Sequence, residues 1–349
     1  MIRIGIVGTG NTVGIAHFHA QGLLNDGRAE IAAVYDTRVE SAKKWVFEHG
    51  LKAAICQSYE ALLDRVDAVI LCVPNAFHAA YALGAVRAGK HFLVEKPMAA
   101  SIEDCRLLAE ATQDAALCTA VGFVYRFSNT VTEARRFARE YLGRIYTCTA
   151  WFGGKRLSDP SLPIEWRMQK AASGSGALGD FGSHLIDLAD FVAGQRYEAV
   201  QCVTETAVPF RAGANGMSVP VENDGAAMVL AQGENGIGSF TVSRVGMDDV
   251  MLLLTGEGGM LEMSLRAPER LTYWEKKLDG GYTGNILQPT IPAQKPFEGW
   301  FDGEATAFLD TIEGKPSTIA DMRQGLYVEE VLHAAALAAK SGAVERISL

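Results

Sequence analysis

The segment that decides the fold is Ile2–Gly14, which has the sequence IRIGIVGTGNTVG. Ile2–Val7 is a short, continuous apolar run that ends at Gly8, a pattern typical of a buried parallel strand. Apolar residues at helical spacing follow over Ile15–Asn25. A glycine-rich turn between a first strand and a first helix predicts a site for a dinucleotide pyrophosphate. The absence of side chains lets the backbone approach the phosphates, and the helix N-terminus carries a partial positive charge.

The third glycine of this turn, Gly14, comes one place late for the spacing G-x-G-x-x-G. We interpret this as a longer loop, in which Gly8 and Gly10 make the closest contacts. The predicted cofactor contacts of the turn are Gly8, Gly10, Asn11, Thr12 and Val13. A plain strand-to-helix turn without a ligand is the alternative.

The alternation of strand and helix continues to about residue 122. The predicted strands are Ile2–Val7, Glu30–Tyr35, Ala68–Val73, His91–Val94 and Leu117–Val121. The predicted helices are Ile15–Asn25, Val39–His49, Phe77–Ala88 and Ile102–Thr112. Repeated strand–helix–strand units with short connections predict an α/β Rossmann domain, a doubly wound parallel sheet, over residues 1–122.

Residues 123–349 show a different pattern, with long alternating stretches and few helices between them. This predicts an α+β domain with a large, mainly antiparallel open sheet, and the segment GENG at 233–236 predicts a hairpin turn. The predicted strands are Ile145–Phe152, Ala199–Val208, Ala226–Ala231, Gly236–Val245, Met251–Thr255 and Met260–Leu265. The predicted helices are Asn129–Tyr141, Leu178–Val192, Glu304–Glu313 and Arg323–Lys340, of which the late ones could pack back on the first domain.

Composition narrows the class of partner. The net charge of -9 argues against nucleic acid and anionic membranes, since no basic face is available. No window approaches the roughly 18 apolar residues of a membrane helix. The six cysteines form no C-x-x-C pair, which argues against a zinc site or a disulfide framework. We therefore expect a soluble, cytoplasmic protein without a bound metal.

The second predicted strand is followed by Asp36. A carboxylate at this position can accept hydrogen bonds from the adenosine ribose hydroxyls and repel a 2′-phosphate, which favours NAD over NADP. Arg38 lies close by and could accommodate that phosphate, so NADP remains an alternative. Asp36 could equally cap the following helix, and the two roles are compatible.

Four further stretches of the chain carry a family resemblance: CVPNAFH at 72–78, GKHFLVEKP at 89–97, YRF at 125–127 and GSGALGDFGSHLID at 174–187. Together with FLDTI at 308–312, they resemble the Gfo/Idh/MocA oxidoreductases, which include glucose–fructose oxidoreductase and inositol dehydrogenases. The resemblance implies a Rossmann domain followed by a domain whose open sheet often forms the oligomer interface, as a homodimer or homotetramer. It also implies that the cofactor is lined by Pro74, Asn75, His78, Glu95, Lys96, Trp166 and Arg167.

Three residue types suit the oxidation of an alcohol, which sends a hydride to nicotinamide and a proton to a base. Lys96 follows a parallel strand, at the edge where such sheets bind ligands, and could stabilise an alkoxide. Asp180 and His184 are four residues apart, so on a helix they share a face, with Asp187 one turn further. By resemblance and chemistry, we assign His184 as general acid/base, Asp180 as its partner and a substrate contact, and Lys96 as electrostatic stabiliser. Lys96 and His184 could exchange the proton-transfer task.

Other residues could line the substrate pocket, because aromatic rings and arginines suit sugar stacking and hydroxyl hydrogen bonds. These candidates are Tyr125, Arg126, Trp151 and Arg156. His17 and His19 form an H-x-H pair, but side chains two apart on a helix do not face each other. We expect them to pack near the cofactor and not to bind a metal.

The sequence therefore predicts an NAD-dependent dehydrogenase that acts on an alcohol carbon of a sugar or cyclic polyol. An NAD-dependent glycosidase that oxidises its sugar transiently is an alternative on the same architecture, and so is a reductase of another small carbonyl compound. A non-catalytic NAD-binding regulator is a third reading. The presence of Lys96, Asp180 and His184 together argues against it.

Overall fold

The structure is a computed structural model that describes residues 1–10, 14–214, 216–266, 268–277, 279, 281 and 284–348, with backbone alone at 171 and 172. It divides into two compact units. The first unit comprises Met1–Ser128 and Gln294–Leu326, and the second comprises Asn129–Ala293 and Tyr327–Leu349. The chain thus leaves the first unit, forms most of the second, returns to the first, and ends in the second.

The regular elements alternate in the first third of the chain and are mostly strands thereafter. In chain order the described strands are β1 (Ile2–Val7), β2 (Ala29–Tyr35), β3 (Ala54–Ile55), β4 (Ala68–Leu71), β5 (His91–Glu95), β6 (Thr119–Gly122), β7 (Ile145–Gly153), β8 (Ala199–Glu205), β9 (Phe210–Ala212), β10 (Ser218–Pro220), β11 (Ala226–Gly233), β12 (Gly236–Ser243), β13 (Asp249–Gly256), β14 (Gly259–Ser264), β15 (Arg270–Glu275), β16 (Ile286–Leu287), β17 (Ala320–Asp321) and β18 (Glu345–Arg346). The described α-helices are α1 (Ile15–Asp26), α2 (Val39–Glu48), α3 (Tyr59–Leu63), α4 (His78–Arg87), α5 (Ile102–Thr112), α6 (Asn129–Phe137), α7 (Lys170–Ser173), α8 (Ala177–Ala193), α9 (Glu298–Ile312) and α10 (Met322–Ser341).

The first unit is built on a sheet with the strand order β17-β6-β5-β4-β1-β2-β3. All described pairings are parallel except that of β17 with β6. The order reverses between β4 and β1, so the switch point of a doubly wound sheet lies at β1. The core between sheet and helices includes Ile4, Ile6, Leu23, Ile70 and Phe308.

Helix α9 belongs to this unit although it begins 176 residues after β6 ends, and it packs against α1. Gly22 makes that contact close, since a Cβ there would lie 2.5 Å from the carbonyl oxygen of Phe301. A larger residue at Gly22 would force the two helices apart.

The second unit is built on a sheet with the order β16-β15-β14-β13-β7-β12-β11-β8-β18. Every described pair is antiparallel except the central one, in which β7 and β12 run parallel. Helix α8 packs on one face, against β7, β12 and β11. That inner face buries Ala150, Phe152, Val229 and Phe240.

The opposite, outer face of this sheet carries large apolar side chains that the chain itself leaves uncovered. Val203, Met228, Leu230 and Ile237 are each 57–64% exposed. Alternation along the strands puts Thr147, Thr149 and Trp151 on the same side. The centre of the outer face is therefore apolar and uncharged.

The fold class predicted from the sequence is confirmed, and the long elements lie within a few residues of their predicted bounds. The elements that were missed are α3, α7, β3, β9, β10, β15, β16, β17, β18 and the first turns of α9. All but α9 are short or weakly alternating, and α9 begins next to a glycine- and proline-rich stretch. In the described part of the chain, every helix is too short or too polar to span a lipid bilayer.

Candidate active site

The turn after β1 suits a bound anion. Gly8, Gly10 and Gly14 have φ angles of 86°, 50° and 68°, which side chains disfavour. A Cβ on Gly8 would lie 2.7 Å from the carbonyl oxygen of Cys72. Gly14 is the N-cap of α1, and within the described residues no side chain caps this helix. First-turn amides thus suit a pyrophosphate. The predicted contacts that lie outside the described residues are Asn11, Thr12 and Val13.

Asp36, at the end of β2, is buried and holds this turn. Its Oδ2 accepts hydrogen bonds from the backbone N (3.0 Å) and Oγ1 (2.8 Å) of Thr9, and its Oδ1 accepts one from the N of Arg38 (2.9 Å). Burial raises the pKa of the Asp36 carboxyl, but these hydrogen bonds outweigh it and bring the pKa below its usual value. The Arg38 guanidinium is 61% exposed, and its Nε lies 3.8 Å from Asp36 Oδ1. Asp36 is therefore an ionised carboxylate next to the glycine turn.

The His78 side chain contacts both the loop that follows β4 and the loop that follows β5. Its ring is buried, with Nδ1 2.7 Å from the carbonyl oxygen of Pro97 and Nε2 2.8 Å from that of Val73. Burial lowers the pKa of His78. Pro74 and Asn75 lie in the turn just before α4. The predicted cofactor residue His78 thus acts on the site by fixing the loops that carry Asn75 and Lys96.

Glu95 and Lys96 lie at the carboxyl end of β5, as predicted, and both are half-buried. Glu95 Oε1 lies 2.7 Å from Nε2 of His19, whose Nδ1 lies 3.4 Å from Oε2 of Glu304 on α9. We call Glu95, His19 and Glu304 the Glu95 cluster. His17 instead packs its ring against His49, 4.5 Å between centroids, so the H-x-H residues have separate partners.

Tyr125 and Arg126 follow β6 and are buried in the first unit. The Tyr125 ring lies 5.0 Å from that of Trp300, and Arg126 Nη1 donates a hydrogen bond to the carbonyl oxygen of Thr318 (3.1 Å). Both residues therefore contact the segment that returns from the second unit.

In the second unit, α8 carries Asp180, His184 and Asp187, as the spacing predicts. His184 and Asp187 are buried, and Asp180 is half-buried. The ring of Phe181 stacks on that of Phe152, 4.1 Å apart, and the His184 ring lies 6.0 Å from that of Phe152. Packing on the inner face of the sheet thus fixes the helix that carries the acid–base candidates.

Asp180 forms an ion pair with the buried Arg244. Oδ2 of Asp180 accepts a hydrogen bond from Nη2 of Arg244 (2.8 Å), whose side chain is only 6% exposed. Nη1 of Arg244 donates to the carbonyl oxygen of Arg167 (3.3 Å). Burial lowers the pKa of the Arg167 guanidinium, and the nearby Asp180 opposes that shift. We call Asp180, Arg244 and Arg167 the Asp180 cluster.

The remaining predicted residues lie around or away from this cluster. The Arg167 guanidinium lies over the Trp166 ring, 4.3 Å from its centroid. Arg156 is exposed, and its Nη2 donates to Glu165 (2.6 Å). Trp151 lies on the outer face of the sheet, opposite to Phe152, so the structure does not bring it to α8.

Sequence reasoning missed several residues that build these clusters. Asp224 caps α8 by accepting hydrogen bonds from the N of Gly176 (3.1 Å) and of Leu178 (2.7 Å), and burial raises the pKa of its carboxyl. Arg244, His19 and Glu304 were missed as partners because each contact joins residues far apart in the chain. Among the described residues, no group of His, Cys, Asp or Glu is arranged to hold a metal ion.

Comparison with known families accounts for these features. A family profile described as "Oxidoreductase family, NAD-binding Rossmann fold" matches residues 2–123, and the "GFO/IDH/MocA C-terminal domain" matches residues 132–262. The chain belongs to the Gfo/Idh/MocA family. The glycine turn and Asp36 are thus features of a Gfo/Idh/MocA Rossmann domain, and α8 falls within the match to the family's C-terminal domain.

Individual Gfo/Idh/MocA proteins are similar over part of the chain. Levoglucosan dehydrogenase of Pseudarthrobacter phenanthrenivorans is 32% identical over 59% of this chain and 55% of its own length. Glucose-6-phosphate 3-dehydrogenase of Bacillus subtilis is 33% identical over 54% of this chain and 53% of its own. The chain thus spans about half the length of these curated relatives. A structure of levoglucosan dehydrogenase in complex with NADH covers 99% of both chains with a TM-score of 0.90 and 22% identity, a likeness of fold.

Proposed function

We propose that this protein is an NAD-dependent dehydrogenase that transfers a hydride between nicotinamide and a secondary alcohol carbon of a sugar or cyclic polyol. The observation that carries the proposal is α8, where Asp180 and His184 stand one turn apart and the buried Arg244 holds Asp180. The similarity to the two sugar dehydrogenases described above supports a sugar as the substrate.

In this proposal the second unit supplies proton transfer. His184 takes the hydroxyl proton as general base, since an imidazole titrates near neutral pH in its unperturbed state. Asp180, fixed by Arg244, orients the histidine and accepts a hydrogen bond from a substrate hydroxyl. The stacked Phe152 and Phe181 rings hold this helix against the sheet, so the base is pre-positioned.

The first unit supplies the cofactor site and a cation. Lys96, whose loop His78 anchors through Pro97, stabilises negative charge as it develops on the substrate oxygen. Gly8, Gly10 and the start of α1 would hold the pyrophosphate, and Asp36 the adenosine ribose. When bound, NAD supplies the hydride acceptor. Because Asp36 is ionised and buried, we propose NAD as the physiological cofactor in preference to NADP.

The test is NADH formation, followed at 340 nm, with NAD and separately with NADP. The substrate panel comprises levoglucosan, glucose 6-phosphate, methyl glucosides and inositols. We expect steady NADH formation with at least one compound and a clear preference for NAD. Glycoside cleavage that requires NAD without accumulation of NADH would replace this proposal with the glycosidase, and the absence of both activities would refute a catalytic role on this panel.

We also propose that the protein is a homodimer or homotetramer assembled through the outer face of the sheet. Exposed Met228, Leu230 and Ile237, with uncharged neighbours, support burial against a second copy. Sedimentation of the wild type should give a dimer or tetramer mass, and Leu230→Arg should shift it toward the monomer. Exposed His333→Arg on α10 is the control and should sediment as the wild type; a monomeric wild type would contradict this assembly.

We further propose that the protein works in the cytoplasm. All six cysteines are free thiols, and burial raises the pKa of several of them, including those of Cys118 and Cys148 to about 12. Unpaired thiols are typical of a reducing compartment.

A further inference from the structure

The Glu95 cluster brings two carboxyl groups to one imidazole inside the first unit. His19 lies between Glu95 and Glu304, with N···O distances of 2.7 Å and 3.4 Å. The side chains of His19 and Glu304 are 4% and 1% exposed, and that of Glu95 is 13% exposed. Glu95 is thus the member of the cluster that reaches the surface, at the carboxyl end of β5.

Burial favours the protonated form of the Glu304 carboxyl in this cluster. Burial raises the pKa of the Glu304 carboxyl well above its usual value, Glu95 raises it further, and Arg126 opposes the shift. Glu304 therefore holds a proton more readily than an exposed glutamate does.

Other titratable groups face this cluster. Arg126 acts on Glu304, and Lys96 and Glu95 both act on His78. Burial lowers the pKa of His78, and it raises that of the Cys72 thiol well above its usual value. The cations that act on these groups are Arg126, which acts on Glu304, and Lys96, which acts on His78.

The position of Glu95 at the end of β5 indicates which half of a bound cofactor it would face. In a doubly wound sheet a dinucleotide lies across the carboxyl ends of the strands at the switch point. In the proposed function Asp36 would hold the adenosine half at β2, and the glycine turn after β1 would hold the pyrophosphate. The nicotinamide half would then extend over β4 and β5, where Glu95 ends its strand.

We propose that His19 and Glu304 are positioning residues that fix the Glu95 carboxylate as a negative charge on the nicotinamide side, so that the protein binds NAD⁺ more tightly relative to NADH. The oxidised ring carries a positive charge that reduction removes, so a fixed anion discriminates between the two forms. A unit charge in a largely hydrated site changes a binding constant about five- to tenfold. The inference rests on NAD binding within the proposed function, and not on the identity of the substrate.

The experiment measures dissociation constants for NAD⁺ and NADH without sugar, by calorimetry and by NADH fluorescence, on the full-length protein. Glu95→Gln, which keeps the shape of the side chain, should lower the preference for NAD⁺ about five- to tenfold. His19→Leu should lower it in the same direction, because Glu95 loses its partner. His19→Gln keeps an amide donor of similar reach and should retain most of the preference.

The exposed Glu110→Gln in the same unit is the matched control and should leave the ratio unchanged. An unchanged ratio in Glu95→Gln overturns the role of the charge. A lowered ratio in Glu95→Gln with a wild-type ratio in His19→Leu overturns the positioning role of His19. Equal loss in His19→Gln and His19→Leu shows that donation to Glu95 is not the cause. If the wild type binds neither form of the cofactor, the proposed function itself fails.

Discussion

The two clusters of the molecule use carboxylates in opposite ways. In the Asp180 cluster the carboxylate is paired with an arginine, which carries its charge at every physiological pH. In the Glu95 cluster two carboxyl groups share one histidine, and burial raises the pKa of Glu304. One region therefore fixes an anion against a permanent cation, whereas the other holds an exchangeable proton.

The difference separates two tasks of a dehydrogenase. In the proposed function the second unit supplies the acid–base groups, and the ion pair with Arg244 keeps Asp180 in place whatever the pH. In the same proposal the first unit sets the electrostatic environment of the cofactor through the Glu95 carboxylate, which His19 contacts at 2.7 Å. Changes in the second unit should alter chemistry, and changes in the Glu95 cluster should alter cofactor binding.

The largest effect is expected for His184→Ala. Loss of a general base should lower kcat about 10²- to 10⁴-fold while the NAD⁺ dissociation constant stays within about twofold. Steady-state kinetics and calorimetry measure the two quantities, and His333→Ala on the exposed side of α10 is the control. Equal losses of turnover and NAD⁺ affinity would contradict the proposal that the second unit serves the chemistry and the first unit binds the cofactor.

Replacement of Arg244, the permanent cation of the Asp180 cluster, should have a smaller effect on the same acid–base step. Arg244→Ala breaks the 2.8 Å contact to Asp180 and should lower kcat/KM about 10- to 100-fold. The control is Arg270→Ala, which breaks an exposed arginine pair with Glu262 in the same unit. If Arg244→Ala behaves as that control does, the ion pair does not position Asp180.

The exchangeable proton should be visible in stability. Because the pKa of Glu304 is raised in the folded state, the folded protein keeps a proton that the unfolded chain loses above pH ~4.5. Stability should therefore fall as pH rises from about 4.5 toward the raised pKa, by at most ~1.4 kcal/mol per pH unit. Urea unfolding from pH 5 to 8 should show this slope in the wild type and in Glu110→Gln, and a flatter profile in Glu304→Gln. Parallel profiles for all three would mean that Glu304 holds no such proton.

The smallest effect tests what sets the pH dependence of a carboxylate: its ionic partner, or the unit in which it lies. Asp26 in the first unit is paired with Arg28 at 2.6 Å, and this hydrogen bond lowers the pKa of its carboxyl to about 2. Its stabilising contribution is present above pH ~4 and is lost as pH falls through about 2. Asp26→Asn should destabilise the protein by ~1–2 kcal/mol at pH 7, with the gap closing toward pH 2. If the difference in free energy of unfolding between the wild type and Asp26→Asn stays constant with pH, its cause is packing or hydrogen bonding and not charge.

Sequence reasoning recovered the elements whose pattern is local. The apolar run of β1, the glycines after it and the i, i+4 spacing of Asp180 and His184 are properties of neighbouring residues. The two-residue strands β3 and β17 were missed, since they lack a period and exist only through pairing with β2 and β6.

The partners of the site residues could not be predicted in this way. Arg244 is 64 residues from Asp180, and Glu304 is 285 residues from His19, so no spacing rule connects them. The sequence identifies which groups carry chemistry. The tertiary fold decides whether a carboxylate meets an arginine or a histidine, and with that its charge at a given pH.

The return of residues 294–326 to the first unit has a consequence for biosynthesis. Helix α9 covers α1 and contributes Glu304 and Phe308, so the N-terminal domain has no complete core when its first 128 residues leave the ribosome. At a typical elongation rate, synthesis of the intervening second-unit segment takes on the order of ten to thirty seconds. During that interval the apolar surface of α1 is open to chaperones, and a nascent chain cut before α9 is a natural substrate for quality control.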